Sequence, residues 1–251
     1  MSRLVNKVAF ITGAGSGIGR AQALRFAQEG AAVIVTDLRG DAAQAVAREI
    51  EAAGGQAIAV TVDVTDSASV GAAVDAGIKA HARIDILCNT AGAFDHYLPS
   101  LDASRELWDR ILALNLTSLY TVTNAVLPHM LARGKGVVLN VASAAGLRGG
   151  GGGAAYTSTK HAAIGYTRQL AADYGRKGIR VNAIAPGLID TPMVADFSQD
   201  AATQATLASK PAGRLGRVED VASASLFLVS DEADFIHAVT LAVDGGLSDT
   251  F

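Results

Sequence analysis

Short apolar, β-branched runs alternate with Ala-rich stretches of helical period along the whole chain. Strands are predicted at 7–12, 32–37, 57–62, 84–89, 136–142, 179–184 and 239–243. Helical patterns lie between them at 17–29, 41–53, 67–81, 103–132, 154–176 and 218–230. Six of the seven strand candidates are nearly continuous in apolar residues, which predicts burial on both faces. Strands alternating with helices imply a parallel sheet covered on each side. Right-handed crossovers make it doubly wound. The expected architecture is one α/β domain over 1–251, since no stretch has the composition of an interdomain linker. The one long irregular region, 187–216, holds Pro192 and Pro211 around a weak helical patch near 194–209. Connections of that length in compact domains are commonly functional, and this one is expected to be a substrate lid. The glycine run 149–153 is expected to be a flexible wall of a site.

Composition narrows the class. Half of the residues are hydrophobic but only 5% are aromatic, so the core is aliphatic. The formal net charge of −3 offers no basic face for nucleic acid or anionic membrane. The single cysteine, Cys88, excludes an internal disulfide framework and fits a reducing compartment. The apolar run after Arg3 and Lys7 is too short for a signal peptide, and no apolar run reaches the length of a membrane span. A soluble cytoplasmic protein is expected. The histidines at 81, 96, 129, 161 and 237 lack metal-ligand spacing, so no metal is expected.

The candidate chemistry begins at 12–19, T-G-A-G-S-G-I-G, between the first strand and the first helix. Gly13, Gly17 and Gly19, with Ser16 and Ile18 between them, place backbone N–H groups and a helix N-terminus where a phosphate can sit. The spacing is G-x-x-x-G-x-G and departs from the common dinucleotide fingerprint. Asp37 closes the second strand, where a carboxylate accepts hydrogen bonds from ribose hydroxyls and repels a 2′-phosphate. That favours NAD over NADP, with Arg39 as the nearby cation that softens the preference. Asp63 and Val64 end the third strand, near an adenine. Asn89, Ala91 and Gly92 end the fourth, near a ribose, with Asn89 equally suited to structural bonding.

Tyr156 and Lys160 are four apart on a predicted helix and share a face. Ser143 follows the fifth strand at the same sheet edge, and Asn115 lies inside a long apolar helix. Together they suit general acid/base chemistry on a carbonyl. A cation about 5 Å from the phenol, at an effective dielectric of about 20, contributes about 3 kcal/mol, or roughly two pKa units. Lys160 with an oxidised nicotinamide would bring Tyr156 to about 7, where proton transfer is efficient. Ser143 would hold the substrate oxygen, and Asn115 would anchor a water relay behind Lys160. Ser143 is not in a nucleophile-elbow context, which argues against hydrolase chemistry.

With these residues in place, the chain resembles the short-chain dehydrogenase/reductase family over essentially its whole length. The matching pieces are T-G-A-G-S-G-I-G, Asp63-Val64, N-T-A-G at 89–92, Asn115, Ser143, Y-T-S-T-K at 156–160, and P-G-L-I-D-T at 186–191. G-R-L-G-R-V-E-D-V-A at 213–222 and V-D-G-G at 243–246 follow. The resemblance implies a Rossmann-type seven-stranded sheet and a Ser143/Tyr156/Lys160 site assisted by Asn115. It implies carboxamide contacts from Ile189 and Thr191, with Pro186, Gly187 and Met193 as further cofactor candidates, and a homotetramer or dimer built through the helices holding Asn115 and Tyr156. Thr90 stands where the family has a second asparagine, and Phe235-Ile236-His237-Ala238 where Tyr-Ile-Thr-Gly is usual.

The expected activity is hydride transfer between NAD(H) and a secondary alcohol or ketone. The pocket candidates Phe94, Tyr97, Leu98, Leu147, Leu188, Phe197 and Leu207 are mostly apolar, which points to an uncharged substrate. The rivals are a 3-oxoacyl-thioester reductase and a catalytically silent nucleotide-sensing or scaffold protein.

Overall fold

A computed structural model describes residues 2–248, apart from the side chain of Phe197. Seven parallel strands form one sheet in the order β3-β2-β1-β4-β5-β6-β7. They are β1 (Val8–Ile11), β2 (Ala32–Asp37), β3 (Gln56–Thr61), β4 (Ile86–Asn89), β5 (Gly136–Val141), β6 (Ile179–Pro186) and β7 (Thr240–Val243). The chain runs outward from β1 to β3, then returns to β4 on the other side of β1. Between β1 and β4 the strand order reverses, and an open sheet of this kind offers a crevice there at its carboxyl edge. Ile11 pairs in register with both Val35 and Cys88, so the ends of β1, β2 and β4 meet at that point.

The side-chain period of two divides each strand between two cores. Ala9 and Ile11 of β1 join Val33 and Val35 against α1 (Gly17–Gln28), α2 (Gly40–Ala52) and α9 (Val218–Val229). Val8 and Phe10 join Ile34, Leu87 and Val138 on the opposite face. There they meet α3 (Ser67–His81), α5 (Ser118–Ala132) and α6 (Ala154–Tyr174). The expected burial on both faces holds for the five central strands. The edge strands are only partly covered: β3 exposes Gln56 and Thr61, and all four residues of β7 are intermediate.

The long helix predicted at 103–132 is interrupted in its regularity. α4 (Arg105–Leu112) passes into a π-helical turn, Ala113–Thr117, before α5 continues. Asn115 sits in that turn and is wholly buried, a setting in which π turns often serve a site. Taken together, Arg105–Ala132 is long and apolar enough to cross a membrane by length and composition, the one such helix among the described residues. Its apolar side is already used: Leu119, Val122, Val126 and Met130 are packed beneath the sheet. The weak helical patch near 194–209 resolves into α7 (Ala195–Ser198) and α8 (Ala201–Ala208).

A buried polar ladder holds the helix that carries Tyr156 to the sheet. Asn89 Nδ2 donates to Asn140 Oδ1 at 2.9 Å and to Thr123 Oγ1 at 3.1 Å. Asn140 Nδ2 donates to Thr167 Oγ1 at 2.9 Å, and Thr167 Oγ1 donates to the Ala163 carbonyl at 2.8 Å. Such bonds contribute little when made and cost much when one partner is removed. Asn140→Ala removes one of the two acceptors of the buried Asn89 amide and the donor to Thr167, and is expected to lower the unfolding free energy by about 2–4 kcal/mol. Urea denaturation monitored by circular dichroism measures the loss.

Candidate active site

A cavity of about 730 Å³ opens along the carboxyl edge of the sheet. The glycine turn forms one end. A Cβ on Gly13 would lie 2.9 Å from the Ala91 Cα, and one on Gly15 would lie 2.8 Å from Asp37 Oδ2. Gly13 and Gly17 also have positive φ, 64° and 53°, so a side chain is excluded at Gly13 on two counts and disfavoured at Gly17 by its backbone. α1 begins at Gly17, and its N-cap, Ser16, makes no side-chain capping bond. Ser16, Gly17, Ile18 and Gly19 all line the cavity, so the helix presents its first N–H groups to the cavity. The turn is held to β4 by Thr12, whose Oγ1 accepts from Thr90 N at 2.9 Å and Ala91 N at 3.1 Å. Thr90 donates to Gln22 Oε1 at 2.6 Å, and Gln22 donates on to Ser225 Oγ at 2.9 Å. Thr90, standing where the family has an asparagine, thus ties β4 through α1 to α9.

Asp37 is buried at the end of β2. Its Oδ2 accepts from Gly15 N and its Oδ1 from Arg39 N, each at 2.9 Å. The Arg39 guanidinium lies 3.8 Å from Oδ1 but is 62% exposed, so it is a loosely held neighbour. Asp63 and Val64 line the cavity beside β3. Bonds from the hydroxyl and N–H of Thr65 hold the Asp63 carboxyl below its usual pKa. Ala91, Gly92, Pro186, Gly187, Ile189, Thr191 and Met193 also line the cavity. Asn89 does not. Its amide faces the core and serves the polar ladder, the structural alternative considered for it.

The other end of the cavity carries the polar quartet. Lys160 is 5% exposed; its Nζ donates to the Val141 carbonyl at 2.9 Å and lies 5.5 Å from the centre of the Tyr156 ring. The Ser143 hydroxyl accepts from Ala145 N at 3.1 Å and bonds to the Tyr156 side chain. Burial pushes the Lys160 ammonium down to about 8. Burial pushes the Tyr156 phenol up to about 12, against the Ser143 bond that lowers it, with Asp95 and Tyr97 raising it further. The protein's own groups leave the phenol above its ordinary value, because burial is the largest effect on it; the expected lowering to about 7 also requires an oxidised nicotinamide beside it. Asn115 lies below the floor. Its Oδ1 accepts from Ala93 N at 2.8 Å, and its Nδ2 donates to the Ala93 carbonyl at 2.9 Å. A Cβ on Gly92 would lie 3.2 Å from Asn115 Oδ1 and 3.7 Å from Lys160 Nζ, so the three groups are stacked closely.

Phe94 packs edge-on against Tyr97 at 4.9 Å and Tyr156 at 5.0 Å. Phe94, Tyr97, Leu188 and Leu207 line the cavity, while Leu98 and Leu147 do not. Leu147 turns outward, 39% exposed, and Leu98 acts through its backbone carbonyl, which accepts from Ala154 N. The Phe197 side chain lies outside the described residues. Sequence reasoning missed Arg148, Thr203 and Thr206 in the lining, and Asp95 behind it. Asp95 bonds to residues 58 and 61 positions away, so no local pattern announces it. Among the described residues no cluster of His, Cys, Asp or Glu could hold a metal ion.

A family model described as "Enoyl-(Acyl carrier protein) reductase" matches residues 13–248. The 2,5-dichloro-2,5-cyclohexadiene-1,4-diol dehydrogenase LinX of Sphingobium indicum is 40% identical over 247 residues, 98% of each chain. The 3-oxoacyl-[acyl-carrier-protein] reductase FabG of Thermotoga maritima is 38% identical over 245 residues, 98% of this chain and 99% of its own. A crystal structure from Beutenbergia cavernae, described as an NAD(P)-dependent gluconate 5-dehydrogenase with bound NADP at low occupancy, superposes with a TM-score of 0.92. It is 38% identical and 98% of each chain is covered.

Burial holds Lys160 at about 8 in the folded chain, below the 10.5 of an ordinary lysine. Between those values the unfolded chain binds the extra proton, so this group makes stability rise with pH across that window. Lys160→Met is expected to abolish a gain of about 2 kcal/mol between pH 8 and 10. Urea unfolding of both proteins at several pH values tests this; parallel stability curves would remove the buried-ammonium assignment.

Proposed function

Because the chain belongs to the short-chain dehydrogenase/reductase family, we propose that it is an NAD(H)-dependent oxidoreductase interconverting a secondary alcohol and a ketone. The observation that carries the reading is the buried Tyr156–Lys160 pair at one end of a cavity whose other end is a glycine turn on a helix N-terminus. The residues suit a nicotinamide dinucleotide. The N-terminus of α1 would hold its pyrophosphate, Asp37 and Asp63 its adenosine, Thr90 to Gly92 its ribose through the strand-end backbone, and Pro186 to Met193 its carboxamide end. When bound, the nicotinamide ring supplies or accepts the hydride. Tyr156 gives the proton to the substrate oxygen in reduction and removes it in oxidation. Ser143 orients that oxygen. The Lys160 ammonium stabilises the phenolate, and Asn115 shapes the floor from which Lys160 is reprotonated. Burial pushes the Tyr156 phenol up to about 12, so a positive charge brought beside it would favour its ionised form.

Phe94, Tyr97, Leu188, Met193 and Leu207 make the substrate end largely apolar. That, with a relative named for a cyclohexadiene diol, supports an uncharged alicyclic or aromatic alcohol. The 187–216 segment, which lends Thr203, Thr206 and Leu207 to the lining, acts as the lid of a single-domain enzyme. The protein works in the cytoplasm, and α5 and α6 build a homotetramer. Tyr120 on α5 is 60% exposed and gives that face an uncovered aromatic. The relative named as an acyl-carrier-protein reductase favours a second reading, an oxoacyl-thioester substrate with NADPH.

Asp37 decides between the cofactors, since two charge-assisted bonds to ribose hydroxyls contribute about 1.5–3 kcal/mol each. Rates with NADH are expected to exceed those with NADPH. Asp37→Ala is expected to lower the NAD/NADP ratio of kcat/KM at least about tenfold; an unchanged ratio would remove Asp37 from cofactor choice. Tyr156→Phe is expected to cut kcat by about 10²–10⁴-fold with cofactor binding retained. Oxidation of a panel of cyclic alcohols, followed by NADH absorbance, supplies the assay.

A further inference from the structure

The glycine run 149–153 divides into two parts. Gly149 and Gly150 have open space around them, and Gly150 has a φ of 85°. The last three glycines stand against other groups. A Cβ on Gly151 would lie 2.9 Å from the Ala145 Cβ, and one on Gly152 2.6 Å from Tyr156 Cδ1. One on Gly153 would lie 2.6 Å from both Asp95 Oδ2 and the Leu98 carbonyl oxygen. Only the first part suits the flexible wall expected from the sequence.

Gly153 is the N-cap of α6 and has no side chain with which to cap it. The bond is made in trans. Asp95 is 1% exposed; its Oδ1 accepts from Gly153 N at 2.8 Å and its Oδ2 from Tyr156 N at 2.8 Å. A carboxylate satisfying two free N–H groups at the positive end of a helix is well placed energetically. Ala154 N donates to the Leu98 carbonyl at 3.2 Å, and Leu98 N to the Asp95 carbonyl at 3.2 Å, so the loop closes on itself and on the helix. Between them, His96 and Tyr97 adopt positive φ of 53° and 59°. Two successive non-glycine residues there are strained and persist only when their surroundings hold them.

We propose that Asp95 is a positioning residue for this enzyme: it clamps the pocket loop that bears Phe94 and Tyr97 onto the first turn of α6, and fixes a carboxylate on the backbone of Tyr156 itself. The proposal rests on the general acid/base role of Tyr156. Three elements bring polar groups to that phenol: Asp95 and Tyr97 from the loop, Ser143 from the end of β5, and Lys160 from α6 itself. Tyr97 in turn faces Asp200 at the start of α8. The clamp holds the Tyr156 backbone directly, so loop and phenol move as one body. The three tight glycines leave room for the carboxylate and the rings.

The pH dependence of kcat for alcohol oxidation tests this. Asp95→Asn and Asp95→Ser remove the charge, and the serine keeps a short capping acceptor. Both are expected to move the rising limb of the profile to lower pH by roughly half to one unit, the effect of one anion lost near an acid. Both are also expected to lower kcat several-fold, less for the asparagine, whose Oδ1 keeps one acceptor at the reach of the carboxylate. Gly153→Ala keeps the charge but crowds the clamp, so kcat is expected to fall while the limb stays in place. Loss of thermal stability in both Asp95 variants with the limb unmoved would make Asp95 merely structural and overturn the proposal. If Asp95→Asn does not fold, Asp95→Ser and Gly153→Ala decide the same question. Full activity of Tyr156→Phe would instead defeat the acid/base reading beneath it, a separately visible outcome.

Discussion

A lysine buried beneath a tyrosine ring is the constraint on which the rest of the site depends. Lys160 gives up its water, and its Nζ has a carbonyl of β5, Val141, at 2.9 Å. An uncompensated buried ammonium is costly, so the residues around it must be small and close. A Cβ on Gly146 would come within 2.6 Å of the Lys160 carbonyl oxygen, and Gly92 lies against both Lys160 Nζ and the Asn115 amide. The π turn at Ala113–Thr117 carries Asn115 into that same layer. α6 is therefore fixed to the sheet at one depth and one rotation, and Tyr156, one turn before Lys160, is carried to the cavity wall.

Charge then divides the labour. Desolvation moves the phenol and the ammonium in opposite directions, toward about 12 and about 8. Each ends closer to its neutral form than it would be in water. A charge brought beside the phenol is screened weakly by the low-dielectric surroundings and therefore moves its pKa strongly. Asp95, bonded to the Tyr156 backbone, raises the phenol's pKa, and Lys160 Nζ lies 5.5 Å from the ring centre.

Most of the fold was legible because parallel strands buried on both faces leave continuous apolar runs, and the seven predicted strands are the seven observed. Tyr156 and Lys160 were legible because helical spacing places them together. Ser143 was legible because a strand end points to the same edge. What was not legible depends on contacts across long sequence separations. Asp95 reads as an ordinary loop carboxylate until α6 lies beside it. The π turn is a one-residue change of register that periodicity does not resolve. Asn89 had two readings, and only its pairing with Asn140 chose between them. Leu98 and Leu147 were placed in the pocket by hydrophobicity alone, which says nothing about which way a loop residue turns. The upward push of burial on the phenol was not legible either, because a sequence displays the neighbouring cation but not the depth of burial.

Hydride transfer across the cavity is tested most directly by isotope. Reduction of a cyclic ketone with NADH deuterated at C4 of the transferred face, followed by mass spectrometry of the product, measures it. One deuterium per molecule at the carbinol carbon is expected, with loss of product formation in Tyr156→Phe. Product formed without label, or no reduction of any ketone while the dinucleotide binds, would contradict an oxidoreductase built on this site.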